Sequence, residues 1–91
     1  MTAGSITIFI PTQLRSYTNG ATSVPAHGTT IDEALTDLDR RHPGIRFRII
    51  DEQNRIRQHM RIFVDGERAL RIDAPLESPG EIHIFGALTG G

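Results

Sequence analysis

A single helix signal stands between two groups of strand signals, and this order constrains the fold more than any other feature of the sequence. The helix begins at Thr30, because Thr30 and Glu33 have the spacing of a capping box. Pro43 and Gly44 end it. The apolar residues between these signals recur at spacings of three and four and so form one stripe: Ile31, Ala34, Leu35 and Leu38.

Strand patterns lie on both sides of this helix. Before it, residues 6–10 alternate β-branched side chains, and a turn at residues 18–20 leads to a short second strand around residues 21–24. Pro25 and Gly28 then interrupt the extended pattern. After the helix, extended segments are predicted at residues 45–50, 60–64 and 81–85, with a short edge segment at residues 69–72.

This order of elements is typical of an α+β fold, in which one helix covers one face of a sheet. The β-grasp fold, a mixed sheet of four to five strands with one main helix packed on one face, is the simplest arrangement that satisfies it. A small open antiparallel or barrel-like α+β domain fits the same pattern. With 91 residues, we expect a single domain over residues 1–91, in which residues 87–91 form a flexible C-terminal tail.

The composition excludes several kinds of chemistry. The chain has no cysteine, which removes disulfides, thiolate metal sites and cysteine nucleophiles, and all ten of its basic residues are arginine, which removes Schiff-base catalysis by lysine. Its four histidines lack the spacing of metal ligands, so we predict no metal site. The net charge of −1 does not favour nucleic acid, and no apolar stretch is long enough to cross a membrane. Since residues 1–5 lack the features of a secretion signal, we expect a cytoplasmic protein.

Three phenylalanines occupy the strand positions opposite to the isoleucines. If the isoleucine faces of the strands meet the helix, then Phe9, Phe63 and Phe85 point to the other side of the sheet. One helix cannot cover both faces, so the three rings form an exposed apolar patch, which we predict to be a partner-binding surface flanked by Arg61 and His83. Alternatively, the sheet coils or loops fold over enough to bury the rings.

The sequence ends in two glycines, which occurs by chance in about half a percent of chains at average glycine usage. Glycine has no side chain, so such a tail can thread a narrow channel and bring its terminal carboxyl group to an active site. The alternative is a frayed end without a function.

Nearly the whole chain resembles the MoaD/ThiS family of ubiquitin-like sulfur carriers. The likeness lies in the opening strand, the helix from Thr30, the segment Val64-Asp65-Gly66, and the ending from Gly80 to Gly91. The start Ile10-Pro11-Thr12-Gln13-Leu14-Arg15 is most similar to the CysO-type carriers, which are linked to cysteine synthases. The pair Phe85-Gly86 departs from the family pattern, which often has a proline near the tail.

The resemblance implies a function for the tail. An activating enzyme of the ubiquitin-activating type would use ATP to adenylate the carboxylate of Gly91, and sulfur would replace AMP to leave a thiocarboxylate. The carrier would then donate this sulfur in a client enzyme, a PLP-dependent cysteine synthase or another thiolating enzyme, and would bind no cofactor itself. It would be a carried substrate and not an enzyme. The residues inserted into partner active sites would be Ala87, Leu88, Thr89, Gly90 and Gly91.

Other functions also fit the sequence. A carrier could serve molybdopterin, thiamine or a sulfur-containing secondary metabolite, because the client enzyme is not written in the carrier. A ubiquitin-like protein modifier would use the same adenylation but would end on a lysine of a target. A plain β-grasp interaction module would have an incidental Gly-Gly end.

Overall fold

A computed structural model describes residues 5–86 and contains five strands, two α-helices and one 3₁₀ helix. In chain order these are β1 (Ser5–Phe9), the 3₁₀ helix (Thr12–Thr18), β2 (Ser23–His27), α1 (Ile31–Arg41), α2 (Ile45–Ile49), β3 (Met60–Val64), β4 (Glu67–Ala69) and β5 (Gly80–Gly86). The strands form one mixed sheet in the order β2-β1-β5-β3-β4. The central pair β1–β5 is parallel and the other pairs are antiparallel. The predicted α+β fold, a mixed sheet of four to five strands with one main helix, is therefore confirmed, and the sheet has five strands.

Helix α1 begins as its capping signal predicts. The Thr30 hydroxyl accepts a hydrogen bond from the Glu33 N–H at 3.1 Å. The Glu33 carboxylate binds the N–H and the hydroxyl of Thr29, both at 2.8 Å, so the return bond of the capping box falls one residue before the N-cap. Hydrogen bonds between residues close in the sequence thus satisfy the first turn of α1.

The core lies between α1 and one face of the sheet. Each residue of the predicted apolar stripe of α1 is fully buried. The inward side chains of the central strands are buried opposite it, and cross-strand pairs such as Ile8–Ile82 and Ile62–Ile84 align them in rows. The strongest free-energy contribution to the fold therefore comes from isoleucine and leucine side chains buried on this one face.

The strand predicted at residues 45–50 is wrong, because this segment forms the short helix α2. Its alternation of apolar residues and arginine also places Ile45 and Ile49 one helical turn apart, and both are fully buried. The Asp39 carboxylate accepts hydrogen bonds from the N–H groups of Gly44 and Arg46, at 3.0 and 3.1 Å, and so caps the start of the helix. This cap comes from the preceding helix and overrides the local preference for a strand.

The second strand was predicted too early in the sequence. The observed strand β2 contains Pro25, although Pro25 is predicted to interrupt the strand. Proline is tolerated there because β2 is an edge strand, whose outer side needs no N–H donor. The Pro25 carbonyl instead accepts a hydrogen bond from Arg41 of α1 at 2.7 Å. The edge segment predicted at residues 69–72 is likewise observed earlier, as β4, and the 3₁₀ helix was not predicted.

The cap of α2 gives a test of this helix. We expect Asp39→Ala to lower the free energy of unfolding by about 1 kcal/mol, because two N–H groups at the helix start lose their acceptor. Glu52→Ala, at an exposed residue of the following loop, serves as the matched control and should change stability by less than about 0.5 kcal/mol. Urea denaturation measures both values. Equal effects of the two substitutions would contradict the cap.

Glu33, in the first turn of α1, makes the stability of the protein depend on pH. Hydrogen bonds from the backbone and then the side chain of Thr29 lower the pKa of Glu33 below its usual value. A carboxylate with a lowered pKa in the folded state adds stability above its unfolded pKa, and this contribution is lost as the pH falls through the folded pKa. We therefore expect Glu33→Gln to be less stable than the wild type at neutral pH, with a difference that shrinks in acid. Urea denaturation at several pH values checks this, and a difference that does not vary with pH would count against it.

Candidate functional site

Four aromatic rings from the three central strands meet on the sheet face opposite α1. His83 of β5 stands opposite Phe9 on one side and Phe63 on the other. The rings of Phe9 and His83 are stacked with centroids 4.2 Å apart, and Phe63 meets Phe85 edge-on at 5.6 Å. His83 and Phe85 lie 6.3 Å apart. The alternation of the strands thus brings the predicted residues together into one continuous aromatic face.

This aromatic face (Phe9, Phe63, His83 and Phe85) is partly open. Phe9 and Phe63 are half-buried against their aromatic neighbours, while Phe85 keeps 52% of its surface exposed. The alternative that coiling of the sheet buries all three phenylalanines is therefore wrong for Phe85. An exposed aromatic ring beside two half-buried ones is typical of a surface that another protein covers.

Polar groups border the aromatic face. His83 Nε2 lies 3.2 Å from a carboxylate oxygen of Glu81 on the same strand. Arg61 stands opposite Phe85 and donates from one guanidinium nitrogen to the carbonyl oxygens of Gln58 and Met60, at 2.8 and 3.0 Å. These backbone contacts hold the Arg61 cation in place at the margin, where it can meet an acidic group of a partner.

Strand β5 delivers the chain to the end of this face. Its last residue, Gly86, stands opposite Met60 of β3. The predicted tail of residues 87–91, including Gly91, lies outside the described residues. Its point of departure is therefore fixed by β5, at the edge of the aromatic face.

A groove of about 350 Å³ adjoins Gly86, between the end of β5 and the start of the 3₁₀ helix. Gln13 and Arg15 line it together with Phe85. The side chain of Gln13 covers Gly86 so closely that a Cβ there would overlap the Gln13 amide nitrogen and lie 2.7 Å from its Cδ. Gln13 is exposed and these atoms are the end of its flexible side chain, so the side chain can move aside and the contact alone does not require a glycine at position 86.

The sequence did not mark Gln13 and Arg15 as site residues. One sequence feature could have indicated this turn, namely the spacing of three between Pro11 and Leu14. Both residues are buried, and the two residues between them are exposed. Pro11 ends the extended segment, and a proline is favoured at the start of a helical turn. The groove itself depends on β5, some 70 residues later, and no local pattern indicates it.

The structure also bears on two other kinds of site. Among residues 5–86, no group of three His, Cys, Asp or Glu side chains is arranged to hold a metal ion. In the same part of the chain, no helix is long and apolar enough to cross a membrane.

The two faces of β5 can be tested at adjacent residues. We expect Phe85→Ser to change the free energy of unfolding by less than about 1 kcal/mol, because its ring is half exposed. Ile84→Ala should cost about 2–4 kcal/mol, because Ile84 is buried against the core. Urea denaturation of the two variants measures the difference. Similar losses would mean that the aromatic face is closed.

Comparisons with known proteins agree with this architecture. The chain matches the ThiS family over residues 8–91. It is 34% identical over 65 residues to the sulfur carrier protein CysO of Mycobacterium tuberculosis, covering 69% of this chain and 70% of that protein. A chain in the crystal structure of the Amycolatopsis orientalis BexX/CysO complex superposes with a TM-score of 0.87 at 31% identity, over 94% of this chain and 99% of that one.

A more distant structure shares the fold alone. SAMP1 from Haloferax volcanii superposes with a TM-score of 0.80 at 22% identity, over 97% of this chain and all of SAMP1. The predicted resemblance and the ubiquitin-like β-grasp fold are confirmed by these matches, and the relatives named as sulfur carriers are carriers rather than catalysts. The chain belongs to the ThiS family.

Proposed function

We propose that this chain is a sulfur carrier whose reactive group is the C-terminal carboxylate of Gly91. The observation that carries the proposal is that the family match extends through Gly90 and Gly91, on a chain with the fold of the CysO structures. A sulfur carrier needs a folded part that partners recognise and a thin end that enters their active sites. The aromatic face and the diglycine end meet these two needs.

The chemistry proceeds at the terminal carbonyl carbon. A carboxylate is a poor electrophile, so an activating enzyme first joins it to AMP from ATP and releases pyrophosphate. Sulfide then attacks the carbonyl carbon, and AMP leaves. Where a donor persulfide attacks instead, it forms an acyl disulfide, and a second thiol must cleave the S–S bond, becoming a disulfide with the donor, to free the acyl sulfur. The product is a thiocarboxylate, whose sulfur attacks the acceptor in the client enzyme. Hydrolysis of the acyl–sulfur bond returns the carboxylate, so the carrier can be used again.

The length of the tail sets how deeply the carboxylate reaches. Five residues, 87–91, span at most about 17 Å when fully extended. The aromatic face can therefore dock on the surface of an enzyme while Gly91 enters a channel of that depth. Glycine at both terminal positions keeps the end narrow and leaves the carboxyl group free to be attacked.

Two kinds of partner follow. The first is an adenylating enzyme of the ubiquitin-activating type, which binds the ATP, so that the carrier holds no cofactor. The second is a sulfur acceptor, for which we propose a PLP-dependent cysteine synthase or a related thiolating enzyme in the cytoplasm. The similarity to CysO supports the cysteine route, and the BexX/CysO complex supports docking of a relative on a partner protein.

The absence of cysteine allows a direct test. The chain is incubated with ATP, sulfide and its adenylating enzyme, treated with a thiol-directed alkylating reagent and analysed by mass spectrometry. We expect an ATP-dependent adduct on the C-terminal peptide at Gly91, because the unmodified chain has no thiol to alkylate. Oxidation of a methionine changes the mass but creates no alkylation site.

Two controls make the result decisive. A chain that ends at Thr89 should gain no adduct, and the enzyme must first be shown to activate another carrier. If that competent enzyme leaves the full chain unmodified, sulfur carriage by this route is wrong. Covalent attachment of Gly91 to lysines of other proteins in cell extract would instead favour the modifier function.

A further inference from the structure

The ten arginines of the chain divide into two sets of five. Five form ion pairs with aspartates: Arg40, Arg41, Arg46, Arg55 and Arg71. The other five have no carboxylate partner among residues 5–86, and we call them the basic collar: Arg15, Arg48, Arg57, Arg61 and Arg68. The chain carries eleven acidic residues, so this division does not come from a shortage of carboxylates.

All five collar residues line three adjoining grooves at one end of the molecule. Arg15 lies in the groove beside Gly86, which shares Gln13 with a second groove that contains Arg48 and Arg57. The second groove shares Met60 and Arg57 with a third, which contains Arg61 and Arg68. None of the described residues that line these grooves is acidic.

This end of the sheet is the one from which the tail departs. Met60 stands opposite Gly86, and Arg61 stands opposite Phe85. At the other end, the Asp65 carboxylate accepts a hydrogen bond from the N–H of Glu81 near the start of β5. The positive charge without a partner is thus gathered around the root of the tail, although the whole chain has a net charge of −1.

Backbone carbonyls hold three of the collar guanidinium groups in position. Arg15 Nε donates to the Ile10 carbonyl at 3.0 Å, and Arg57 Nε donates to the Phe47 carbonyl at 2.7 Å. Arg57 also lies over the Phe47 ring, 4.5 Å from its centroid, and Arg61 is held as described above. A guanidinium has five N–H donors, so donors remain for a partner after these contacts are made. Anchored arginines lose less conformational freedom when they bind.

We infer that the basic collar docks against an acidic rim around the channel through which the adenylating enzyme receives the tail. This inference rests on the proposed function. The collar surrounds the point where the chain enters that channel, and cations held by neutral carbonyls are complementary to carboxylates of a partner. Aromatic and apolar side chains beside the collar, Phe47 and Leu70, are more than half exposed and would be covered in the same contact.

The test compares two double substitutions that change the net charge equally. Arg48→Glu/Arg68→Glu alters the two exposed collar residues that lack anchoring hydrogen bonds within residues 5–86. Arg40→Glu/Arg71→Glu alters two exposed arginines outside the collar. The dissociation constant of each full-length chain with the purified adenylating enzyme is measured calorimetrically without ATP, after circular dichroism has established that both variants fold.

We expect the collar variant to bind about tenfold more weakly than the wild type at about 0.05 M salt, and the control variant to stay within about twofold. At about 1 M salt, where screening acts over about 3 Å, the difference should largely disappear. Equal weakening by both variants, or none, overturns the inference. This binding assay involves no adenylation, so its outcome is separate from that of the alkylation experiment.

Two further measurements exclude other occupants. The collar could serve a second copy of the chain, which sedimentation of the isolated protein detects, or a nucleic acid, which a fluorescein-labelled oligonucleotide detects. Loss of either interaction in the collar variant, with enzyme binding unchanged, would overturn the acidic rim as the ligand of the collar.

Discussion

The parallel pairing of β1 with β5 is the interaction on which the rest of the structure depends. Its register sets Ile8 against Ile82 on the core face and Phe9 against His83 on the other. Since both strands lie in the middle of the sheet, the same pairing fixes the core and the aromatic face together. It also brings the end of β5 beside the 3₁₀ helix that follows β1, and so creates the groove at Gly86.

One helix must cover a sheet of five strands, and this leaves the two faces unequal. Helix α1 takes the isoleucine face, where it removes the largest continuous apolar area from water. On the aromatic face, only contacts between the rings shield the side chains from water. These contacts half-bury Phe9 and Phe63 but leave Phe85 half exposed. A small domain has too few residues to cover both faces, so a surface that suits a partner arises at little cost in stability.

The sequence predicts those features whose causes are local. Helix α1 has its cap and its apolar stripe within twelve residues, and the aromatic face follows from strand alternation alone. The residues of α2 fit both the two-residue period of a strand and the turn of a helix, and the hydrogen bonds to Asp39 favour the helix. The collar likewise depends on contacts that the local sequence does not indicate. Arg46 and Arg48 look alike in the sequence, yet Arg46 binds Asp32 at 2.6 Å while Arg48 has no carboxylate partner within residues 5–86.

A diglycine end creates a problem of recognition that the folded part must solve. Glycines offer backbone groups but no side chains, so an active site that accepts Gly90 and Gly91 cannot identify the carrier by them. On the proposed function, selection must therefore occur at the surface around the tail, where the apolar contact of the aromatic face supplies affinity. Charges at the rim act mainly on the rate of association. A carrier that binds two enzymes in turn must associate rapidly and selectively with each one and must also dissociate rapidly. A basic collar speeds association, and an aromatic face this small leaves the complex free to dissociate.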